Sequence, residues 1–215
     1  MRSRLRANKS PAADWRNRHA APSSNLIPQT AMAFELQPHL HGKLLDLRPL
    51  RVEDFSVLYA VASDPLIWQQ HPDHDRHQEP VFREFFRQAR ESGGALVAVD
   101  RASGEVIGSS RYHGYDAVAG EIEIGWSFLA RAYWGGRYNG EMKRLMLDHA
   151  FRWVQRVLFI VGRENRRSRR AVEKIGAVAI GNKTDARGRE CIVYGLTQES
   201  FAEPRRRMLA LYGAA

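Results

Sequence analysis

Apolar residues recur along the chain with two different periods, and each period predicts one kind of element. In residues 121–130, Ile122 and Ile124 alternate with polar residues, which is the period-two pattern of a strand with two different faces. Further on, Met142 and Leu145 begin a series of apolar residues at three- and four-residue spacing, which is typical of a helix with one buried face. A turn that contains glycine separates the two, so this part of the chain is predicted to fold as strand, turn and helix.

Applied to the whole chain, the same patterns predict a mixed α/β fold in the order β α α β β β α β α β β. The predicted strands cover residues 43–50, 94–99, 106–115, 121–130, 157–162, 177–182 and 189–196, and the helices other than the long central one cover 54–62, 81–90 and 168–175. The turns that join the second, third and fourth strands are short, which favours an antiparallel meander.

Length and composition limit the class of protein. A chain of 215 residues with 44% apolar side chains can bury one substantial core. No window approaches the roughly 18 consecutive apolar residues that span a bilayer, so no membrane partner is expected. The single cysteine, Cys191, excludes an internal disulfide and fits a reducing, cytoplasmic compartment. Its strand-like surroundings favour a buried core thiol over a nucleophile.

Positive charge is concentrated at the amino terminus. The first 31 residues carry six arginine or lysine side chains against one aspartate, whereas the net charge of the whole chain is +9. The rest is close to neutral, which argues against a specific nucleic-acid surface. We predict a disordered basic tail over residues 1–38, a folded domain over 39–200, and a C-terminal helix or tail over 201–215. The basic tail is either an organellar transit peptide or an over-extended reading frame, with Met32 as the working start.

The turn before the long helix holds three glycines, Gly135, Gly136 and Gly140. Such a turn points several N–H groups one way at the positive end of a helix dipole, which favours a phosphate or pyrophosphate ligand. Neither the P-loop motif nor the dinucleotide-binding fingerprint is present, because the glycine spacing fits neither. A tight turn with no ligand accounts for the glycines equally well.

Four stretches of the chain resemble the GNAT superfamily of acetyl-CoA-dependent N-acetyltransferases. They are residues 47–50 together with Asp54, residues 104–108, residues 123–141 and residues 165–176. The last stretch, Asn-x-x-Ser-x-x-Ala-x-Glu-Lys-Ile-Gly, is similar to the branch that contains the ribosomal-protein alanine and serine N-acetyltransferases. The GNAT hypothesis strengthens the assignment of the glycine turn as a pyrophosphate site.

The resemblance implies a mixed, mostly antiparallel seven-stranded sheet flanked by helices, with strands four and five splayed to hold acetyl-CoA. It implies acetyl transfer from acetyl-CoA to a primary amine, either a small molecule or a protein N-terminus, by direct attack in a ternary complex. A monomer or a homodimer is expected, and no metal. The alternative hypothesis is a non-catalytic CoA-binding sensor or partner module of the same fold.

Arg137 and Asn139 are the best support for that alternative, because the family loop usually has glycine or alanine at these two places. Their side chains either crowd the pyrophosphate, or leave the neighbouring glycines to supply the space in a shifted register while Arg137 adds a cation for the phosphates.

The resemblance also implies roles for individual residues. Glu123 is the candidate general base, with Glu121 as its neighbouring competitor, and pairing with a cation is the alternative role. Ser168 is the candidate hydrogen-bond donor to the departing sulfur, although an ordinary helix-start serine fits its position too. The predicted acetyl-CoA contacts are Phe128, Leu129, Ala130, Gly135, Gly136, Arg137, Tyr138, Asn139, Gly140, Asn165 and Ser168.

The acceptor side is predicted to be an aromatic and histidine wall formed by Trp68, His71, Tyr112 and His113. The spacing of His71, His74 and His77 matches no familiar zinc site, so we expect no metal there. A run of arginines follows at residues 163–170, and we expect one or two of them to reach the CoA phosphates, Arg169 and Arg170 being the first candidates.

Overall fold

A computed structural model of the chain describes residues 34–212, and within them eight strands and six α-helices. The strands are β1 (Leu40–His41), β2 (Leu45–Pro49), β3 (Ala95–Asp100), β4 (Val106–Asp116), β5 (Glu121–Leu129), β6 (Arg156–Gly162), β7 (Val178–Thr184) and β8 (Glu190–Thr197). The helices are α1 (Phe55–Ala62), α2 (Pro65–Trp68), α3 (Glu79–Glu91), α4 (Arg137–Ala150), α5 (Arg166–Lys174) and α6 (Gln198–Tyr212).

All eight strands belong to one sheet in the order β1-β2-β3-β4-β5-β6-β8-β7. Neighbouring strands are antiparallel except β5 and β6, which run parallel. The predicted mixed, mostly antiparallel fold is confirmed, but the predicted number of seven strands is one too low. The additional strand, β1, contains two residues and pairs with β2, and a run of two residues is too short to show a period in the sequence.

Each face of the sheet carries its own hydrophobic core. On one face, α4 packs Met142 and Met146 against Ile122 and Ile124 of β5. On the other face, α1 and α3 pack an aromatic cluster that includes Phe82 and Phe86. The apolar residues that recur every three or four positions in these helices form the faces that pack on the sheet, as the sequence predicts.

Two elements lie at positions where the sequence pattern gives no strong signal. Pro65 disfavours helix in the residue before it but is well placed at a first helical turn, and it begins the short helix α2 with Asp64 as the capping side chain. At the other end of the chain, residues 198–212 form α6, which packs Phe201 into the core on the α4 side.

The predicted basic tail lies largely outside the described residues, which begin at Phe34. Phe34 is buried and packs against Tyr112 and His149, so the packed part of the chain includes residues before position 39. Among the described helices, none has both the length and the apolar content that a membrane-crossing helix requires.

Glu141 fastens the start of the sheet to the central helix. Its side chain is fully buried and accepts hydrogen bonds from the backbone N–H groups of Lys43, Leu44 and Leu45 at 2.9, 2.7 and 3.0 Å. A Cβ on Gly42 would lie 2.5 Å from this carboxylate, which explains the glycine beside it. Glu141 therefore has a structural role, in joining β2 and the residues before it to α4.

We expect Glu141→Gln to lower the free energy of unfolding by about 3 kcal/mol, because an amide cannot accept all three N–H bonds and buries two unmatched donors. Urea unfolding measures the change. Glu105→Gln, on an exposed turn, is the matched control and should change stability by less than about 0.5 kcal/mol. Equal effects of the two substitutions would contradict the structural role of Glu141.

Candidate active site

The candidate site is a gap in the sheet between β5 and β6. Only three residue pairs join the two strands, and the last is Glu123 with Leu158. Beyond that pair the strands diverge, and a cavity of about 560 Å³ opens between them. The predicted splay of these strands is thus present, and the cavity is large enough for a ligand of coenzyme size.

A bulge in β5 shapes one wall of the gap. Trp126 has φ +51°, a value that non-glycine residues rarely adopt, and the pairing of β4 with β5 shifts register opposite Ser110. After the bulge the faces exchange, so that Phe128 packs in the aromatic cluster whereas Ile124 packs against α4. Strict alternation from Ile124 would place Trp126 on the α4 face, but because of the bulge Trp126 packs beside the aromatic cluster on the other face.

The start of α4 lies at one end of the cavity. Gly135 and Gly136 line the cavity and have φ values of +101° and +107°, which only glycine adopts without strain. Within residues 34–212 no side chain caps this helix start. Its first N–H groups therefore remain available to an anion, which is the arrangement expected of a pyrophosphate site.

The two unusual loop residues differ in their placement. Arg137 is exposed and lies outside the cavity lining, whereas Asn139 is part of that lining. Tyr138 turns away from the cavity and donates a hydrogen bond from its hydroxyl to Asp100 at 2.9 Å. Gly140 is buried in the helix, and its N–H bonds to the carbonyl of Gly136. The space at the helix start is thus provided by Gly135 and Gly136.

The backbone at the end of β5 is partly engaged within the protein. The N–H of Ala130 donates to the carbonyl of Ile107 at 2.8 Å, and the indole N–H of Trp134 donates to the carbonyl of Leu129 at 2.9 Å. Phe128 and Leu129 line the cavity, but Ala130 does not. The Ala130 N–H is therefore already used within the sheet and could bond to acetyl-CoA only by giving up its bond to Ile107.

Glu123 lies at the closed end of the gap, in the last residue pair before the strands separate. Burial raises the pKa of its carboxyl from 4.5 to about 7, although Lys183 and Arg111 act in the opposite direction. Its carboxylate is 3.9 Å from the His113 ring. A carboxyl group with a pKa near 7, on a cavity wall, is suited to proton transfer at neutral pH.

Glu121 differs from Glu123 in both position and pairing. Its carboxylate forms an ion pair with Arg156 at 2.7 Å, and it lies outside the cavity lining. The neighbouring competitor for the role of base is therefore a structural ion-pair partner.

Ser168 and Asn165 occupy the opposite wall, at the start of α5, and both line the cavity. Asn165 caps this helix, since its side-chain oxygen accepts from the Ser168 N–H at 3.1 Å. The helix cap is thus Asn165, which leaves the Ser168 hydroxyl free of the capping role that its sequence context equally permits.

The predicted acceptor wall is only partly assembled. Trp68 and His71 line the cavity, and His113 stands near Glu123 with its ring 5.2 Å from that of Trp126. Tyr112 is different, because it is fully buried on the α4 face and its hydroxyl donates to the Met146 carbonyl at 2.6 Å. An alternating strand that places His113 at the site necessarily places Tyr112 on the far side.

His71 is partly buried; its Nδ1 accepts from the Asp73 N–H at 2.9 Å, and its Nε2 lies 3.2 Å from the Arg76 guanidinium. Burial and the neighbouring Arg76 lower its pKa to about 3, so the ring is neutral. Among residues 34–212, no group of three His, Cys, Asp or Glu side chains is placed to hold a metal ion.

Of the arginine run, Arg167 is the member that reaches the cavity. Its guanidinium stacks 4.2 Å from the centre of the Trp134 ring, at the edge of the glycine turn, and donates to the Ile67 carbonyl. Arg169 instead bonds to the Tyr194 hydroxyl and Arg170 is exposed, and neither lines the cavity. Arg167 reaches the cavity because its guanidinium stacks on Trp134, and the sequence does not show that these two residues are close together.

Sequence reasoning missed Lys143. This residue lies on α4 and lines the cavity, where its ammonium nitrogen is 2.6 Å from the Ser127 hydroxyl. The Ser127 hydroxyl in turn lies 2.7 Å from that of Ser110. Burial lowers the pKa of Lys143 to about 7. The available signal was a lysine on an otherwise apolar helical stripe between Met142 and Met146.

Sequence reasoning also missed Arg111, which is buried beside the same site. Its guanidinium lies between Trp126 and Phe85, 4.6 and 5.5 Å from the ring centres. Burial lowers its pKa to about 10, so it remains charged at neutral pH. Arg111 therefore places a buried positive charge close to Glu123, beside the end of the gap where the acceptor is predicted to bind.

We expect Gly136→Ala to weaken acetyl-CoA binding by about tenfold or more, because a side chain is strained at φ +107° and relief of that strain moves the first N–H groups of α4. Calorimetric titration measures the affinity. Gly104→Ala is the matched control, since Gly104 also has a positive φ, +74°, but lies in an exposed turn away from the cavity. An unchanged affinity in Gly136→Ala would remove the helix start from the binding site.

Comparison with known proteins agrees with this geometry. A family model described as an acetyltransferase (GNAT) domain matches residues 45–178. A GCN5-related N-acetyltransferase from Brucella melitensis superposes with a TM-score of 0.71 at 21% identity, over 81% of this chain and 85% of its own. A search of curated proteins finds no significant match.

Two further solved structures share the fold. A GNAT-family acetyltransferase from Bacillus anthracis gives a TM-score of 0.63 at 20% identity, over 75% of this chain and 99% of its own. RimJ from Mycobacterium smegmatis, solved in complex with CoA-disulfide, gives 0.61 at 20% identity, over 82% of this chain and 93% of its own.

Proposed function

Because the chain belongs to the GNAT acetyltransferase family, we propose that it transfers an acetyl group from acetyl-CoA to a primary amine by direct attack in a ternary complex. The acceptor is a small-molecule amine or a protein N-terminus. The observation that carries the proposal is Glu123, whose side chain is 14% exposed and whose carboxyl pKa is raised to about 7, at the closed end of the β5–β6 gap.

The residues around the gap fit acetyl-CoA from end to end. The uncapped start of α4 and the guanidinium of Arg167 suit the phosphates, and Phe128 and Leu129, which line the cavity, suit the pantetheine arm. Acetyl-CoA supplies the activated thioester. The remaining chemistry asks the protein to hold the amine, take up its proton and accept the leaving thiolate.

Glu123 takes the acceptor's proton in this proposal. A carboxylate at the usual pKa of about 4.3 is too weak a base for an amine near 10. The raised pKa of Glu123 reduces this mismatch. A small part of the acceptor amine is already neutral at neutral pH, and Glu123 then has to take only the proton that this amine loses when it attacks the thioester. Trp68 and His71 line the same cavity and are the proposed contacts of the acceptor.

At the other side of the reacting centre, Ser168 and Lys143 both line the cavity and are available to the departing sulfur. A serine hydroxyl is a far weaker acid than a thiol, so Ser168 can donate a hydrogen bond but cannot supply a proton outright. The Ser127 hydroxyl, bonded to Lys143, is a second donor, on the β5 wall of the cavity.

Calorimetric titration of the full chain with acetyl-CoA, followed by an amine panel with thiol release as the readout, tests the proposal. We expect micromolar binding and turnover with at least one primary amine or N-terminal peptide. Absence of binding at millimolar acetyl-CoA would refute it. Binding without turnover on any amine or peptide would favour the non-catalytic CoA-binding module, whose support is the side chain of Asn139 in the cavity wall.

A further inference from the structure

The β5–β6 gap contains an amine of the protein itself. Lys143 reaches it from α4, and its nitrogen contacts both strands that border the opening. On the β5 side it is bonded to the Ser127 hydroxyl at 2.6 Å, and on the β6 side it lies 5.5 Å from the centre of the Phe159 ring. Phe159 follows Leu158, the last β6 residue paired with β5, so Lys143 lies across the gap at the point where it opens.

The surroundings of Lys143 differ from those of an ordinary lysine. Its side chain is buried, and burial lowers its pKa. Within residues 34–212, no carboxylate forms an ion pair with it. A solvated lysine has a pKa near 10.4 and is almost entirely protonated at neutral pH, so it is a poor nucleophile. At pH 8 the neutral fraction of Lys143 exceeds that of a solvated lysine by about two hundredfold.

We propose that Lys143 is a self-acetylation site, at which the amine held in the β5–β6 gap takes the acetyl group of bound acetyl-CoA when no external acceptor is present. The inference rests on the proposed binding of acetyl-CoA in this gap. It adds an acceptor that belongs to the chain and lies at a fixed position, between Ser127 and Phe159.

The reaction balances without any further reactant. The lone pair of the Lys143 nitrogen attacks the thioester carbonyl carbon, the carbon–nitrogen bond forms, and the carbon–sulfur bond breaks with its electron pair on sulfur. One proton of the amine passes to the thiolate, and the Ser127 hydroxyl is placed to relay it. The products are Nε-acetyllysine at position 143 and the free thiol of CoA.

Acetylation at this position would also limit the enzyme. The new acetyl group would occupy the opening between the strands, in the space that the proposed cosubstrate needs. When acetyl-CoA is present without an acceptor amine, the protein would thus become acetylated at Lys143, and the acetyl group would block the gap to further acetyl-CoA.

The test is to incubate the full chain with acetyl-CoA at pH 8 without any amine, and to follow acetylation by intact mass and by peptide mapping. Calorimetry on the same preparation reports whether acetyl-CoA binds. We expect one acetyl group on Lys143, added about two hundredfold faster than on the exposed Lys43 and Lys174. Lys143→Arg keeps the positive charge but cannot be acetylated under these conditions, so this variant should not acquire the rapidly added acetyl group.

The two hypotheses fail in different ways. If acetyl-CoA binds but Lys143 is acetylated no faster than Lys174, the self-acetylation site is wrong and the proposed function is untouched. If acetyl-CoA does not bind, both are wrong.

Discussion

Glu123→Gln should reduce kcat/KM for acetyl transfer by about a thousandfold, because the amide keeps the shape of the carboxyl group but cannot take a proton. In the unsubstituted protein, activity should fall about tenfold per pH unit below pH 7, since the base works only when ionised and burial holds its pKa at about 7. Steady-state thiol release, with the amine found by screening, measures both effects.

Glu121→Gln is the matched control, two residues away on the same strand but paired with Arg156 and outside the cavity. It should change kcat/KM by less than about threefold, as expected for the loss of a peripheral ion pair. If the two substitutions have equal effects, or if the acid limb of the pH profile persists in Glu123→Gln, another residue is the base.

The same substitution should stabilise the protein. The folded-state pKa of Glu123 is raised, so its ionised form is disfavoured, and the cost grows as pH rises from about 4.5 to 7 and is complete above that. Glu123→Gln should therefore raise the free energy of unfolding by about 2 kcal/mol at pH 8 and leave it almost unchanged near pH 4. If Glu123→Gln lowers activity and raises stability, Glu123 is a residue that serves catalysis at a cost to the stability of the fold.

Lys143→Met should raise the free energy of unfolding by about 3 kcal/mol at pH 6. Burial lowers the pKa of Lys143 from 10.5 to about 7, so the folded state disfavours the protonated amine. This cost is fully present below pH 7 and disappears as pH rises toward 10.5. Methionine matches the length of the side chain, carries no charge, and sacrifices one hydrogen bond to Ser127.

Urea unfolding at pH 6 and pH 10 measures the difference for Lys143→Met. The gain should be several-fold smaller at pH 10. Lys174→Met, on an exposed face of α5, should change stability by less than about 0.5 kcal/mol at either pH. A Lys143→Met variant that is destabilised equally at both pH values would show that the lysine is not strained by its surroundings.

Local patterns in the sequence were sufficient for most of the fold. Strands such as β4 and β5 alternate in polarity, and α4 has a helical stripe, because each element has one face on a core and the period of its backbone records that face. The glycine turn at Gly135 and Gly136 was recognisable from the residues themselves, whereas Glu123 was assigned through the family resemblance. The structure places all three on the cavity wall.

What could not be predicted depends on contacts between distant elements. The bulge at Trp126 follows from the pairing of β5 with β4, and it reverses which residues face α4. Tyr112 was assigned to the wrong face because alternation alone does not say which face is the site. Lys143 and Arg167 reach the cavity because α4 and α5 pack on either side of the gap. That packing brings together parts of the chain that are distant in sequence, so local patterns do not predict it.

The β5–β6 gap also has a consequence for the lifetime of the protein. The sheet has two parts, β1–β5 and β6–β8, which are joined by three residue pairs between β5 and β6. A ligand that fills the gap contacts both parts and has no comparable site on the unfolded chain. Its binding energy is therefore added to the stability of the fold, by about 2.7 kcal/mol at a hundredfold excess over Kd. Resistance to proteolysis would then rise and fall with the supply of that ligand.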